Sequence, residues 1–331
     1  MSVIRVSVIG CGYLGNIHAR LWMQQQQAEL VGVFDIVAER SHTVAEQLGV
    51  VAFDTLEAAI EAADAVTIAT ATRSHAEVAI AALAHSKHVL IEKPVAATLA
   101  EAEQIAAAAS AANVVVHVGH VERYNPAFMY ARAHVCRPLF IESHRLSPFR
   151  IRGTDVSVIH DLMIHDLDLV RTLVGEEVAR LEAHGVSVVS NSIDIANVRI
   201  EFAGGCIANV TASRLTPNPL RKLRVFQQNA YFSLDFAAPR LELYRLTEAV
   251  PTTGSPHVVL NIEGLDSKAI IVEQPQLEPV NAIACEHRAF VESIISGEPA
   301  VVSLADGIEA LRIAEWVEQS IGERMHRSGW Q

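Results

Sequence analysis

The chain has 331 residues, half of them hydrophobic, and a formal net charge of -12; such a length suits two domains better than one core. The acidic balance excludes nucleic acid as the main partner, because a phosphate backbone needs a cationic face, but it leaves room for a small anion held by a few local cations. Cys11, Cys136, Cys206 and Cys285 form no CxxC pair, which excludes a zinc ribbon or disulfide framework and fits a reducing cytoplasm. The opening residues show no signal peptide, and the most apolar stretch, 105–118, is broken by Ser110, Asn113 and His117. That stretch is too short to span a bilayer, so no membrane association is expected.

In chain order, β-branched runs first alternate with Ala-rich helical runs. Strands are expected at Ile4–Ile9, Leu30–Phe34, Ala65–Ala69, His88–Ile91 and Val114–Val118, with a weaker one near Val50–Phe53. Helices are expected at Leu14–Gln25, Ala38–Leu48, Leu56–Ala62, His75–Ala84 and Leu99–Ala111. This alternation predicts a doubly wound parallel sheet, a Rossmann domain over residues 1–122. From Leu139 strands follow one another instead: Leu139–Leu146, Arg180–Val189, Asp194–Phe202, Cys206–Ser213, Leu223–Gln228, Ala230–Phe236, Arg240–Leu246 and Lys268–Val272. Gly204-Gly205 reads as a hairpin turn. One helix, Val158 to Val174, interrupts the strands, and two helices end the chain near Asn281–Ile295 and Ala305–Ile321. The pattern predicts an α+β domain over 123–331 with a large, open, mainly antiparallel sheet, the terminal helices packing back on the first domain. Val198, Ile200 and Phe202 alternate along one strand. An open sheet with an apolar face needs a cover, so sheet-to-sheet packing into a homodimer or homotetramer is expected.

Gly10-Cys11-Gly12-Tyr13-Leu14-Gly15 follows a strand and opens a helix. Gly10 suits the tight turn, Gly12 the approach of a pyrophosphate, and Gly15 close helix–sheet packing, with free N–H groups of the helix start, around Tyr13 and Leu14, facing the phosphates. Asp35 ends the second strand, about 20 residues on, where a carboxylate accepts from the adenosine ribose and repels a 2′-phosphate. The cofactor expected is therefore NAD. Glu92-Lys93-Pro94 follows the fifth strand, at the ligand edge of an α/β sheet, and the proline restricts Lys93 to extended backbone or a cis bond. On the interrupting helix Asp161 and His165 are i,i+4 neighbours, Asp168 continues their face, and Leu162, Leu169 and Leu173 line another. An acid and a histidine on one stripe can orient a hydroxyl and take its proton. The same residues also read as a structural pair or, with His160, as metal ligands; no metal is expected, since alcohol dehydrogenation runs without one. Arg123, Tyr124 and Asn125 follow the sixth strand as either ligand contacts or a helix start. Arg145, Arg150 and Arg152 lie between them and the helix and read as an anion site or as surface ion pairs.

These motifs, with Thr70-Ala71-Thr72-Arg73-Ser74-His75 between them, recur in the same order in the Gfo/Idh/MocA oxidoreductase family, which the whole chain resembles. The resemblance implies that Lys93, Asp161 and His165 form the catalytic triad, with the proton acceptor open between Lys93 and His165. It also implies dinucleotide contacts from Thr70, Thr72, His75, Glu92 and Lys93. Ala71 stands where many members have proline. More narrowly, the segment 118–127, VGHVERYNPA, resembles that of the family's UDP-N-acetylglucosamine 3-dehydrogenases. That likeness implies a UDP-sugar substrate oxidised at C3 and a link to a pyridoxal-phosphate aminotransferase in a 2,3-diamino sugar, lipid A type pathway. The alternatives are a dehydrogenase of a free polyol such as inositol, and a non-catalytic NAD-sensing protein on the same fold.

Overall fold

The computed structural model describes residues 3–149, 156–238, 240–248, 258–261 and 268–328. The chain divides into two compact units, 1–124 with 280–312 and 125–279 with 313–331. The division differs from a single cut after residue 122. The chain returns to the first unit because helix α8 (Ala282–Ser296) places Ala289, Phe290 and Val291 in that unit's core.

The first unit holds a six-stranded parallel sheet in the order β3-β2-β1-β4-β5-β6. Its strands are β1 (Ile4–Ile9), β2 (Ala28–Phe34), β3 (Val51–Ala52), β4 (Ala65–Ile68), β5 (His88–Glu92) and β6 (Val116–Gly119). Alternate residues of single strands feed opposite faces. Val8 and Leu90 pack with Trp22 of α1 (Tyr13–Trp22), while Ile9, Val89 and Ile91 pack with Val78 and Ala79 of α4 (His75–Ala84). Both faces are thus covered, which is why these strands are nearly continuously apolar. Helix α2 (Ala38–Leu48) stops at Gly49, whose φ of +69° supplies the left-handed C-cap. Helix α5 (Leu99–Ala112) opens on a Thr98/Glu101 capping box. The short α3 (Leu56–Glu61) links β3 to β4.

The second unit is built on a nine-stranded sheet in the order β14-β15-β13-β12-β11-β7-β10-β9-β8, parallel only between β7 and β10. In chain order the strands are β7 (Phe140–Leu146), β8 (Val178–Val186), β9 (Ile195–Phe202), β10 (Ile207–Ser213), β11 (Leu220–Gln227), β12 (Ala230–Asp235), β13 (Arg240–Thr247), β14 (Val258–Asn261) and β15 (Ala269–Glu273). The Gly204-Gly205 turn joins β9 to β10, with Gly205 at φ +88°. Helix α7 (Ile164–Val174) lies against β7 and β10. Val198, Ile200 and Phe202 are buried within the single chain. They therefore need no second copy to cover them. Two elements go beyond the pattern expected from sequence, the strand β14 and the full helix α6 (Pro126–His134), of which only a possible start was expected. Helix α9 (Leu304–Ser328) runs longer than expected. None of the described helices is long and apolar enough to cross a membrane.

Candidate active site

In the first unit the expected cofactor residues collect at the carboxyl ends of the strands, on either side of the β1/β4 junction where the strand order reverses. That is where open α/β sheets bind ligands. Gly10 follows β1 with φ +97°, and a side chain there would lie 2.6 Å from the Ala69 carbonyl oxygen. A side chain at Gly15 would collide with the Gly10 carbonyl, whereas the position beside Gly12 is open for 4 Å. Gly12 is also the N-cap of α1 and offers no side chain to the helix amides. The first-turn N–H groups therefore face an open cradle flanked by the exposed Tyr13 and Leu14. Asp35 accepts the Cys11 N–H through Oδ2 at 2.7 Å and the Val37 N–H through Oδ1 at 2.8 Å. Its carboxylate thus pins the glycine turn to the end of β2. Burial, then the Asp35 charge, push the neighbouring Cys11 thiol up to about 12, so it stays protonated and unreactive. The site's residues fit a dinucleotide.

The Lys93–Pro94 peptide is cis. The turn is held from two sides. Glu92 accepts the Lys93 N–H through Oε2 at 3.3 Å, and His75 Nδ1 lies 2.8 Å from the Pro94 carbonyl. The other His75 nitrogen is 3.3 Å from the Thr70 carbonyl. Burial lowers the His75 pKa and keeps the ring neutral, so the single N–H belongs to the shorter contact. His75 thereby fastens the Lys93 turn to the start of α4 as a buried strut rather than an exposed ligand contact. Thr70 and Thr72 stay partly exposed, with Thr72 opening a 3-10 turn.

Arg123 and Tyr124 are buried. Arg123 pairs with Asp306 at 3.3 Å, and the Tyr124 hydroxyl meets His117 Nε2 at 2.9 Å. Burial lowers the His117 pKa to about 3, so the ring that meets the tyrosine is neutral. Asn125, the first residue of the second unit, N-caps α6 by accepting the Ala127 N–H at 3.1 Å. All three residues thus have structural partners.

In the second unit the segment of Asp161 and His165 is not one α-helix. Ile159–Met163 is π-helical and passes into α7 at Ile164. A π turn adds a residue and re-aims the side chains around it, a feature frequent at functional sites. Asp161 and His165 both keep partial exposure, while Asp168 is buried and Leu162 partly exposed. Asp168 is therefore not part of the open stripe, and its carboxylate lies among the buried residues of α7. His160 Nδ1 meets Ser157 Oγ at 3.2 Å and Glu318 at 3.5 Å. Just beyond the stripe, Asp166 fastens α7 to β7 by accepting from Ser143 Oγ at 2.6 Å and Arg145 Nε at 2.5 Å. Arg145 is thus spent on a buried internal ion pair and is not an open cation for a diphosphate. Arg150 and Arg152 lie outside the described residues.

The NAD-binding Rossmann profile of the Gfo/Idh/MocA oxidoreductases matches residues 4–120, and the profile of the Gfo/Idh/MocA C-terminal domain matches 128–233. The chain is a Gfo/Idh/MocA oxidoreductase. It is 36% identical over 315 residues, 95% of each chain, to the UDP-N-acetylglucosamine 3-dehydrogenase of Acidithiobacillus ferrooxidans. A solved structure of that enzyme superposes with a TM-score of 0.87 at 34% identity, covering 97% of this chain and 98% of the other. The myo-inositol 2-dehydrogenase of Thermotoga maritima is 28% identical over 97% of both chains. A levoglucosan dehydrogenase in complex with NADH and levoglucosan shares the fold, with a TM-score of 0.83 at 20% identity over 97% and 98%. As a Gfo/Idh/MocA member the protein is an NAD-dependent oxidoreductase.

Sequence reasoning missed one group of this Gfo/Idh/MocA chain. His18, Glu92 and Glu286 bring ligand-type atoms within 4.8 Å of one another in the first unit, the one such trio of acids, histidines or cysteines among the described residues. His18 stands three residues past Gly15, a signal available in the sequence. Glu286 carries no local signal, because its partners lie far away in the chain, on α1 and β5.

Proposed function

We propose that this oxidoreductase converts the C3 hydroxyl of UDP-N-acetylglucosamine to the 3-keto sugar nucleotide. The observation that carries the reading is the 36% identity to a UDP-N-acetylglucosamine 3-dehydrogenase across 95% of both chains. NAD, when bound, supplies the hydride acceptor at C4 of its nicotinamide. Lys93, Asp161 and His165 act on the reacting hydroxyl. That hydroxyl must lose its proton as the hydride departs, and His165 or Lys93 takes it. If His165 is the acceptor, a protonated Lys93 steadies the developing alkoxide. Asp161 orients the sugar ring. With Arg123 and Arg145 already ion-paired, Arg150 and Arg152 are the cations proposed for the diphosphate. The keto product suits a pyridoxal-phosphate aminotransferase, which would lead to a 2,3-diamino sugar of the lipid A type.

A free polyol is the second reading, favoured by the inositol dehydrogenase at 28% identity over 97% of both chains. The two separate in one experiment. The protein is incubated with NAD and either UDP-N-acetylglucosamine or myo-inositol, with a ketone trap or an aminotransferase and amino donor to draw the equilibrium. Mass spectrometry should show a 3-keto or 3-amino UDP-sugar. Ready oxidation of inositol without any such product transfers the assignment to the polyol.

A further inference from the structure

Behind the Lys93 turn lies a chain of buried polar groups that the chemistry above does not use. Glu92 Oε1 meets His18 Nε2 at 2.8 Å, and His18 Nδ1 meets His287 Nε2 at 2.7 Å. The His287 ring stacks on Trp22 with centroids 3.7 Å apart, and the Trp22 indole N–H donates to Thr67 Oγ1 at 2.9 Å. Next to His287 in sequence, Glu286 is fully buried, and neither carboxyl oxygen has a hydrogen-bond partner. Gly119 closes the other side of the Glu92 carboxyl, since a Cβ there would sit 3.0 Å from Glu92 Cδ. That contact accounts for a glycine at the end of β6.

The proton positions follow from chemistry. Burial keeps His287 neutral. His18 Nε2 faces a carboxylate oxygen and therefore carries the hydrogen between them. His287 Nδ1 has no partner and so holds the lone pair, which leaves His287 Nε2–H to donate to His18 Nδ1. The groups facing Glu92 are His18 from α1, Glu286 from α8, His75 from α4 and Lys93 beside it in the turn after β5. Burial alone would raise the Glu92 carboxyl, but the His18 hydrogen bond and nearby positive charge hold it below the usual range. Burial, then the Glu92 charge, push Glu286 well above that range. Two buried carboxylates this close do not both ionise, and one keeps its proton. A divalent ion is the other way to neutralise them, but both His18 nitrogens are already engaged, Nε2 with Glu92 and Nδ1 with His287.

We propose that His18, acting through the Glu92 carboxylate, is a positioning residue for Lys93, and that Glu286 stands behind the pair as a protonated acid. His18 belongs to the helix whose N-terminus faces the dinucleotide, so one hydrogen bond joins the cofactor helix to the lysine turn. The proposal rests on the reading of Lys93 as a group of the reaction.

Four variants test it: H18L, H18Q, E92Q and E286Q, beside K93A, assayed with whichever sugar the protein oxidises. H18L should lower kcat by roughly tenfold to a hundredfold, the scale of a misplaced catalytic group, with the Kd for NADH within about twofold. H18Q, which keeps a donor toward Glu92, should recover most of that loss. E92Q removes a negative charge beside Lys93 and should move the pH limb of kcat set by the lysine to lower pH, a shift that a merely structural role does not produce. E286Q replaces a neutral acid by its isostere and should leave kcat and Tm near those of the parent. Wild-type kcat in H18L with K93A inactive overturns the positioning role while sparing Lys93, whereas an active K93A removes Lys93 itself. If H18L does not fold, H18Q and the pH limb of E92Q decide between the same two outcomes. The Glu286 assignment needs no substrate. A Tm unchanged in E286Q with no bound metal by elemental analysis supports it, and a stoichiometric divalent ion lost in E286Q overturns it.

Discussion

Asp166 accepts from Arg145 at 2.5 Å with both side chains almost wholly out of solvent. The pair locks α7 to β7 immediately beyond the His165 position. Removing one partner of a buried ion pair leaves the other charge uncompensated and costs about 3–5 kcal/mol. R145A and D166A are each expected to lose that much in urea unfolding. An apolar replacement of both, R145M/D166L, should recover a large part of it. A loss confined to substrate KM in R145A, with stability intact, would return Arg145 to the role of an open substrate cation.

Asp35 is the residue expected to set the cofactor preference. D35A should weaken NADH binding by about tenfold, the scale of a hydrogen bond to a charged group, and narrow the preference for NAD over NADP. Fluorescence titration of both reduced cofactors measures this. Part of the loss comes from the glycine turn, because the Asp35 carboxylate also holds the Cys11 and Val37 amides. Tighter binding of NADP than of NAD by the parent protein contradicts the assignment.

Lys93 and His165 should separate binding from chemistry. K93A and H165A are each expected to lower kcat by ~10²–10⁴-fold, the usual contribution of general acid–base help. NADH binding should stay within a few-fold. Turnover should also survive a chelator. Near-parental kcat in either variant removes that residue from the reaction.

Asp194 sets an acid limit on stability. Its buried carboxylate accepts the amides of Val188, Val189 and Ser190 and the Ser190 hydroxyl at 2.6–3.0 Å. Burial opposes ionisation, but these hydrogen bonds prevail and lower its pKa from 3.8 to about 2. The unfolded chain therefore binds the proton first as pH falls. The contribution is fully present above about pH 4 and is lost between about 4 and 2. D194N should lower stability at pH 7 by about 2 kcal/mol and flatten the acid limb of Tm over that range.

Assembly is expected through the outer sheet face. Phe140, Phe226, Tyr231 and Tyr244 form a ladder of neighbouring rings across β7, β11, β12 and β13, with successive centroids 5.9, 4.5 and 5.1 Å apart. We expect two copies to pack there face to face, as dimer or tetramer. Light scattering at micromolar protein should give a multiple of the chain mass, and F226E should shift it toward the monomer. A monomeric parent contradicts the expectation.

The sequence by itself determined the Rossmann half almost element by element. Strand ends, glycines and caps there are local: Gly49 stops α2, Thr98 opens α5, and the chain must turn at Gly10 whatever the rest of the protein does. It also placed Lys93 beyond β5 and Asp161 and His165 on one helical segment, because those assignments need only spacing. The tertiary structure alone decided what lies far apart in the chain. The π turn at Ile159–Met163 re-aims the helix face, and nothing in its local sequence announces it. Arg145 looked like an anion ligand until β7 and α7 brought it to Asp166. The apolar row of β9 looked in need of a partner copy until the folded chain itself buried it. The buried trio of His18, Glu92 and Glu286 draws on α1, β5 and α8. Their protonation is set by desolvation and mutual charge, and both arise only once the chain has closed on itself.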